Sequence, residues 1–367
     1  MNPLPIKEGV CREASARTER WAAQAVRTTS RADPHFTVLA WYKGLMAFSA
    51  LGDLESARIL LERFEKTGSR PGDFHAAGDM TVAEALMPPI SRYSWSKAFS
   101  AALRVPIGLW RNYRNAWLAY GAHRLGVPHL SEPTLDLLAG ILSPQLGAVP
   151  HNDLLDVAQR HYDLGTNASV AHAMIGAGRM ELASQLGLFL TDIVMSQPAD
   201  TARIYQARDF RGQPLSVANS TLIQRQYWVE VGAPDQSYWI LGFTLKVFAM
   251  LFKATGQAEW LAPAERIRIW LGRCHADAVT NITCAKLGWG AAEMFAVTRK
   301  NVWRDIAVKS IAHVANSQSP SGIWIRSDYP WWFPQPILVS LDTSVERMFY
   351  LQEVPRALRD GGMPLAS

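Results

Sequence analysis

The sequence predicts an all-α protein in which about twelve helices form one closed ring, with six inner and six outer members. Three observations predict this fold. Helical hairpins recur along the chain, the first helix of each is apolar on most faces while the second is amphipathic, and long inserts fall on one side of the pattern. An open solenoid is the alternative, but its repeats would have a near-constant length, which these do not have.

The first hairpin illustrates the pattern. An apolar helix over Trp41–Leu51 reaches Gly52, which suits a left-handed C-cap, and Asp53 caps the amphipathic helix that begins at Leu54. The same order returns along the chain, with second helices predicted near Glu132–Leu142, Met180–Met195, Trp260–Cys274 and Val302–Asn316. The helices Arg12–Thr29 and Leu341–Val354 supply the missing outer and inner members of the ring.

The inserts all follow an outer helix and precede an inner one. They are Ser69–Pro106, Ser143–Gly165, Gln197–Asp235, His275–Ile282 and Gln318–Ser340. Loops gathered on one face commonly build the functional face of a scaffold, so we expect a site there. Within one insert, Arg203–Glu230 predicts a β-hairpin that turns at Asp209–Gln213 and returns through Gln226–Val229.

Composition narrows the functional classes. The 367 residues are interpreted as a single domain, residues 1–367, with a core over about residues 12–354; 49% are hydrophobic and 14 are Trp, which predicts a packed interior or an aromatic-lined cavity. The net charge of +5 comes from scattered Lys and Arg without a basic stripe, so we expect no nucleic-acid partner.

Targeting and metal signals are weak. The N-terminus lacks the apolar core of a signal peptide, and the apolar runs are shorter than the ~20 residues that cross a bilayer, which predicts a cytoplasmic protein without a membrane span. The three cysteines have no metal-type spacing. We therefore expect no metal and no cofactor, and the sequence leaves the oligomeric state open.

Titratable side chains in the inserts and at the inner helix N-termini are the candidates for acid–base catalysis. Asp342 and Glu346 are four residues apart and share one helix face, where they could act as acid and base; the alternative is that Asp342 caps the helix and Glu346 pairs with a basic residue. The other candidates are His75 with Asp79 in the longest insert, and His161 with Asp163 before the third inner helix, where Asp163 could instead be a cap.

Further residues are predicted to contact a substrate. Lys286 lies on an otherwise apolar inner helix and therefore needs a partner or a wet cavity. Asp235 is interpreted first as a helix cap, while Tyr238 could form a substrate wall or belong to the core. The remaining candidates are aromatic: Tyr93, Trp239, Trp289, Trp331 and Trp332.

The hairpins, together with Gln318-Ser319-Pro320-Ser321-Gly322-Ile323-Trp324, resemble the α/α-toroid group, which includes terpenoid cyclases and six-hairpin glycosidases, polysaccharide lyases and sugar epimerases. The segment is similar to the Gln-x-x-x-Gly-x-Trp repeat of triterpene cyclases, but it occurs once. Neither the Asp-x-Asp-Asp nor the Asp-Asp-x-x-Asp segment of the cyclases is present.

Three functional hypotheses follow. The first is an enzyme of small-molecule, secondary metabolism, a cyclase, isomerase or lyase that acts on a polycyclic or isoprenoid-like substrate in an aromatic-lined cavity. The second is a carbohydrate-active enzyme, either a glycoside hydrolase with two carboxylates or a lyase or sugar epimerase. The third is a non-catalytic helical scaffold.

Overall fold

The helices alternate between buried and partly exposed members. The computed structural model describes residues 8–28, 38, 41–66, 71–74, 110–217, 221–324 and 337–363. In chain order the α-helices are α1 (Glu8–Thr28), α2 (Gly44–Leu51), α3 (Leu54–Phe64), α4 (Arg111–Arg124), α5 (Pro128–Gly140), α6 (Leu164–Gly176), α7 (Met180–Met195), α8 (Thr221–Tyr227), α9 (Trp239–Thr255), α10 (Leu261–Leu271), α11 (Cys284–Thr298), α12 (Asn301–Asn316) and α13 (Ile337–Asp360).

The inner helices contact one another in a ring. Their order is α2, α4, α6, α9, α11 and α13, and α13 contacts α2 again. The outer helices α3, α5, α7, α10 and α12 each pack on the inner helix that precedes them, and α1 packs on α13. The predicted all-helical fold with six inner and six outer members is therefore confirmed.

The amino-acid pattern explains which helices are inner. In α6 every residue from Leu164 to Met174 is buried, and in α11 every residue from Cys284 to Phe295 is buried. Outer helices bury one stripe; α3, for example, buries Ser56, Ala57, Leu60 and Phe64. Small residues on the inner helices allow close packing, which a ring of six helices requires.

Helices α9 and α11 approach each other closely where Gly290 faces Gly242. A Cβ atom added at Gly290 would lie 1.9 Å from the carbonyl oxygen of Gly242, so neither helix could approach in this way with a larger residue at that position. This crossing fixes the positions of the charged side chains that both helices carry.

Helix ends follow the predicted signals in the first hairpin. Gly52 adopts a left-handed conformation with φ +80° at the end of α2, and the Asp53 side chain accepts a hydrogen bond from the Ser56 amide at 3.0 Å. The last helix is longer than predicted. It continues through Pro355 to Asp360 because Ala357 and Leu358 are buried, and this packing offsets the lost helical hydrogen bond.

The insert after α7 contains the predicted hairpin in part. Strand β2 (Arg203–Tyr205) pairs antiparallel with β4 (Trp228–Glu230), with Ile204 opposite Val229. Strand β3 (Ala207–Arg208) instead pairs with β1 (Tyr162–Asp163), and Gln226 and Tyr227 belong to α8, so the prediction of a returning strand over these two residues is wrong.

None of the helices within the described ranges is long and apolar enough to span a membrane.

Candidate functional site

Two lysines and two carboxylates meet at the N-terminal ends of three inner helices. We call Lys43, Lys286, Asp342 and Glu346 the lysine–carboxylate cluster. Lys43 Nζ lies 3.0 Å from Asp342 Oδ1 and 2.9 Å from Glu346 Oε2, and Lys286 Nζ lies 2.6 Å from Glu346 Oε1. Glu346 thus bridges two ammonium groups. Both lysines are buried, whereas 26% of the Asp342 side chain and 18% of the Glu346 side chain remain exposed.

Two tyrosines complete the hydrogen bonding of this cluster. Lys286 Nζ donates to the Tyr113 hydroxyl oxygen at 2.8 Å, and the Tyr350 hydroxyl donates to Glu346 Oε1 at 2.8 Å. Burial raises the pKa of both tyrosines, and the negative charge of Glu346 acts in the same direction. Both residues therefore remain phenols at neutral pH, able to donate a proton in a hydrogen bond.

Burial and neighbouring charges give the members of the cluster different protonation behaviour. Burial lowers the pKa of Lys286 to about 8, and the positive charge of Lys43 acts with it against the attraction of Glu346. Burial alone would raise the pKa of Glu346, but Lys286 and Lys43 outweigh it and lower the pKa instead. Burial alone would lower the pKa of Lys43, but Asp342 and Glu346 outweigh it and raise the pKa instead. Lys286 is consequently a member that changes charge near neutral pH.

Aromatic rings flank the cluster. The Trp239 ring centroid lies 4.4 Å from Lys286 Nζ and 5.4 Å from the Trp110 ring, and both indoles are partly exposed. Gly165 makes room for Trp239, since a Cβ atom there would lie 3.0 Å from its ring. An aromatic wall therefore stands beside the partly exposed carboxylates.

The structure brings four of the predicted residues together in this place: Lys286, Asp342, Glu346 and Trp239. Asp342 and Glu346 share one face of α13, as their spacing predicted. The alternative that Asp342 caps the helix is wrong, because α13 begins at Ile337. Glu346 does pair with basic residues, and Lys286 has the partner that a buried lysine requires.

His161 and Asp163 have partners of their own. His161 Nδ1 lies 2.8 Å from the Tyr227 hydroxyl, and its ring stacks on His151 at 4.9 Å. Burial lowers the pKa of His161, although Asp209 opposes this, so the ring is neutral at pH 7. The Asp163 carboxylate accepts from the Thr166 amide at 2.7 Å and caps α6, which is the structural role that the sequence left open. Their participation in catalysis stays a prediction.

Three predicted contact residues lie elsewhere. Asp235 is exposed with φ +56°, and α9 begins four residues later without a side-chain cap, so its interpretation as a cap is wrong. Its amide donates to Asp277 Oδ2 at 2.7 Å, which holds it on the surface. Tyr238 is fully buried, with its hydroxyl on the Ala233 carbonyl at 3.1 Å, and Trp289 is buried deeper in the ring. The remaining candidates fall outside the described residues: His75, Asp79, Tyr93, Trp331 and Trp332.

Sequence reasoning missed Lys43, Tyr113 and Tyr350. Lys43 is a single charge at the start of the apolar stretch Trp41–Leu51, which is the same signal that identified Lys286. The tyrosines carry no such signal, because tyrosine is common in packed interiors. Among the described residues, no group of three or more His, Cys, Asp or Glu side chains could hold a metal ion.

Solved structures of enzymes that act on sugars are similar to this chain over nearly its whole length. A D-mannose isomerase matches with a TM-score of 0.61 at 11% identity, covering 94% of this chain and 97% of its own. An α-1,6-mannanase from Salegentibacter sp. HEL1_6 matches with 0.57 at 9% identity, covering 94% and 99%. An unsaturated glucuronyl hydrolase specific for heparin matches with 0.57 at 11% identity, covering 98% and 100%.

These similarities show the α/α-toroid fold, but they do not support the terpenoid cyclase part of the resemblance. By sequence, no protein-family model matches the chain and no curated protein is similar to it. The hypothesis of an enzyme of secondary metabolism with an isoprenoid-like substrate is wrong, because the similar structures belong to enzymes of carbohydrates. The partly exposed carboxylates of Asp342 and Glu346 give a physical reason, because an apolar substrate would remove their remaining water without offering a hydrogen bond in its place.

Proposed function

We propose that this protein is a carbohydrate-active enzyme that binds a sugar at the lysine–carboxylate cluster. The observation that carries the proposal is the buried Lys43–Glu346–Lys286 bridge, whose carboxylate side remains partly exposed next to Trp239. The similar structures of a D-mannose isomerase and an α-1,6-mannanase support the same substrate class.

The arrangement suits a polyhydroxylated substrate. Sugar hydroxyl groups donate hydrogen bonds to carboxylates, and bonds to an ionised acceptor are stronger than neutral ones. The lysines hold Asp342 and Glu346 in fixed positions, so these acceptors would need little rearrangement when a sugar binds. The apolar face of a sugar ring would pack on the partly exposed indoles of Trp239 and Trp110.

We favour proton transfer next to a carbonyl group, as in aldose–ketose isomerisation or epimerisation. A glycosidase needs one protonated carboxyl group as its general acid, but the two lysines keep Glu346 ionised. Lys286 has the behaviour that isomerisation requires. As a neutral amine it would take the proton from C2 of an open-chain aldose and, as an ammonium group, return it to C1, while the proton of the C2 hydroxyl moves to the carbonyl oxygen, so that no proton is gained or lost overall.

The test is a proton NMR assay of the protein with D-mannose, D-glucose, D-fructose and N-acetylmannosamine in deuterated water. We expect at least one of these sugars to exchange its C1 or C2 hydrogen for deuterium and to convert into its isomer. Parallel incubation with α-1,6-mannobiose tests hydrolysis. Release of mannose from the disaccharide without any exchange in the free sugars would overturn the assignment to proton transfer, and inertness toward all five compounds would count against the sugar substrate.

A further inference from the structure

A cavity opens at the end of the ring opposite the lysine–carboxylate cluster, where the inner helices end. It has a volume of about 560 Å³, which is the size of a small-molecule site. Its lining comes from five inner helices, through residues such as Tyr120 of α4, His172 of α6, Lys246 of α9, Glu293 of α11 and Arg356 of α13.

An aromatic layer separates this cavity from the lysine–carboxylate cluster. Its ring centroids lie 5.2 Å apart between Trp117 and Phe243, 5.9 Å apart between Phe243 and Trp289, and 5.2 Å apart between Trp289 and Tyr350. Lys286 and Glu293 lie on opposite sides, about 10 Å apart along α11 at the rise of an α-helix. The cavity is therefore distinct from the proposed sugar site.

Two side chains with polar groups, Trp289 and His172, lie on the floor of the cavity. Trp289 is buried, and its indole N–H has no hydrogen-bond partner within the described part of the chain. His172 is also buried, and its ring packs against the rings of Tyr120 and Trp289. Burial, followed by the charges of Lys246 and Arg124, lowers the pKa of His172 well below its ordinary value. A neutral His172 could both donate to a ligand and accept from it.

The charges of the cavity favour an anion. Five cations face three carboxylates, and the lining members are Arg124, Lys246, Lys253, Arg299 and Arg356 against Glu293, Glu353 and Asp360. Lys246 is paired with Glu293 at 2.5 Å, whereas Arg124 and Lys253 at the rim form no ion pair with a described carboxylate. Basic residues at helix C-termini also stabilise helix dipoles, but this does not account for the unpartnered indole N–H of Trp289 on the floor.

We propose that this cavity binds a small organic anion, a sugar-sized molecule that carries a phosphate or carboxylate group. The anionic group would lie between Arg124 and Lys253 at the rim, and its hydroxyl groups would reach His172 and Trp289 on the floor. Net positive charge, a lining drawn from five helices and the unpartnered indole N–H of Trp289 together support this chemistry.

Isothermal titration calorimetry with glucose 6-phosphate, glucuronate and glucose tests the proposal. We expect one molecule of either anion to bind per chain, more tightly than glucose and more weakly as salt increases. The double variant Arg124→Gln/Lys253→Gln should bind each anion at least about tenfold more weakly than the parent protein does. Ala296→Trp should block binding because Ala296 lines the cavity.

The control is Arg58→Gln, which removes an exposed arginine from outer helix α3 and should leave binding unchanged. Lys286 does not line this cavity, so we expect Lys286→Met to lose sugar exchange and to retain anion binding. This result would show that the anion site and the proposed sugar site are independent. The proposal is overturned if neither anion binds, if the double variant binds as tightly as the parent, or if Arg58→Gln weakens binding equally.

Discussion

Lys286 combines burial with a chemically useful pKa. Its ammonium group is enclosed by the Trp239 ring, the Tyr113 hydroxyl and Glu346. A surface lysine, by contrast, extends its flexible side chain so that the ammonium group reaches water. Its neutral form is accessible at a pKa of about 8. A side chain with these properties is suited to accepting and returning a proton.

Replacing Lys286 by Met tests its role. Methionine keeps the apolar stem and removes the proton acceptor, so we expect sugar hydrogen exchange to fall at least about 100-fold. Lys300→Met is the control, because Lys300 is exposed and its ion pair with Glu265 is long at 3.5 Å. The assignment would fail if Lys286→Met retained the parental exchange rate.

The pH dependence of kcat/KM provides a second test. If neutral Lys286 is the base, activity is low below its pKa and rises with an inflection near pH 8. The charge of Lys43 lowers the pKa of Lys286, so Lys43→Met should raise that pKa and move the inflection to higher pH. An inflection that stays in place, or moves to lower pH, would show that another group controls the rate.

At this scale the sequence identified residues that stand out from their neighbours. Lys286 was found because a charge on a buried helix needs an explanation, and the same rule applies to Lys43. Asp342 and Glu346 were found because their four-residue spacing places them on one helix face. Periodicity could not reveal that Glu346 bridges lysines from two other helices. That contact and the bond from Lys286 to Tyr113 depend on how the helices are arranged in space, whereas Tyr350 lies one helical turn from Glu346 on the same helix.

Among the elements, α6 depends on the cap at its first turn. Asp163→Ala removes the acceptor for the Thr166 amide and should lower the free energy of unfolding by about 1 kcal/mol. Asp163→Asn keeps a capping side chain but not a carboxylate. We expect it to retain both stability in urea denaturation and sugar exchange, whereas loss of exchange in a stable Asn variant would identify Asp163 as catalytic.

The crossing of α9 and α11 depends on Gly290. Gly290→Ala places a Cβ atom against the Gly242 carbonyl and should lower the free energy of unfolding by about 1–3 kcal/mol, while displacing Lys286 and reducing activity. Gly140→Ala is the control, since a Cβ atom there meets nothing within 4 Å and should stabilise α5 by about 0.5 kcal/mol. Equal stability of the two variants in urea would contradict the close crossing.

Elements with strong periodicity were predictable, and short ones were not. Most of the inner and outer helices repeat apolar positions over three turns or more, which makes their type evident. Strands β1 and β3 contain two residues each, too few for any alternation, and their pairing joins segments about 45 residues apart, Tyr162 with Arg208. The insert was therefore predicted as one hairpin, whereas it forms two small pairings.

For the whole molecule, ring closure depends on contacts between the first and last helical pairs. Gln318 Nε2 donates to the Ala14 carbonyl at 2.8 Å and to Thr18 Oγ1 at 2.7 Å, while its Oε1 accepts from Arg17 Nε at 2.8 Å. Gly322, at φ +85°, presents its carbonyl to the Thr18 hydroxyl at 2.7 Å. The Gln-x-x-x-Gly-x-Trp segment thus joins α12 to α1.

Gln318→Ala should lower the free energy of unfolding by about 1–3 kcal/mol, because several buried groups on α1 lose their partner. Gln24→Ala, on the exposed face of the same helix α1, should change it by less than about 0.5 kcal/mol. Urea denaturation of both variants measures the difference. Equal midpoints would mean that the segment does not hold the ring together.

The overall architecture was predictable because it follows from the number and order of the helices. Five helical hairpins and two flanking helices supply twelve members, and a ring is the arrangement in which each amphipathic outer helix covers a buried inner one. The substrate class was not predictable from the number of helices or of aromatic residues. Abundant aromatic residues suit either an isoprenoid or a sugar, and the difference lies in the charges between helices α2, α11 and α13.

The contacts that close the ring join segments that are synthesised far apart in time. The Ser15 hydroxyl bonds to the Met348 carbonyl, 333 residues away along the chain. A ribosome adds about 5–20 residues each second, so the apolar stripe of α1 waits about 15–65 s for the helix that covers it. Throughout that interval a nascent chain displays Cys11, Ala14 and Ala22 without their final cover. Chaperones that shield apolar surface would have a long opportunity to bind this helix before its partner is made.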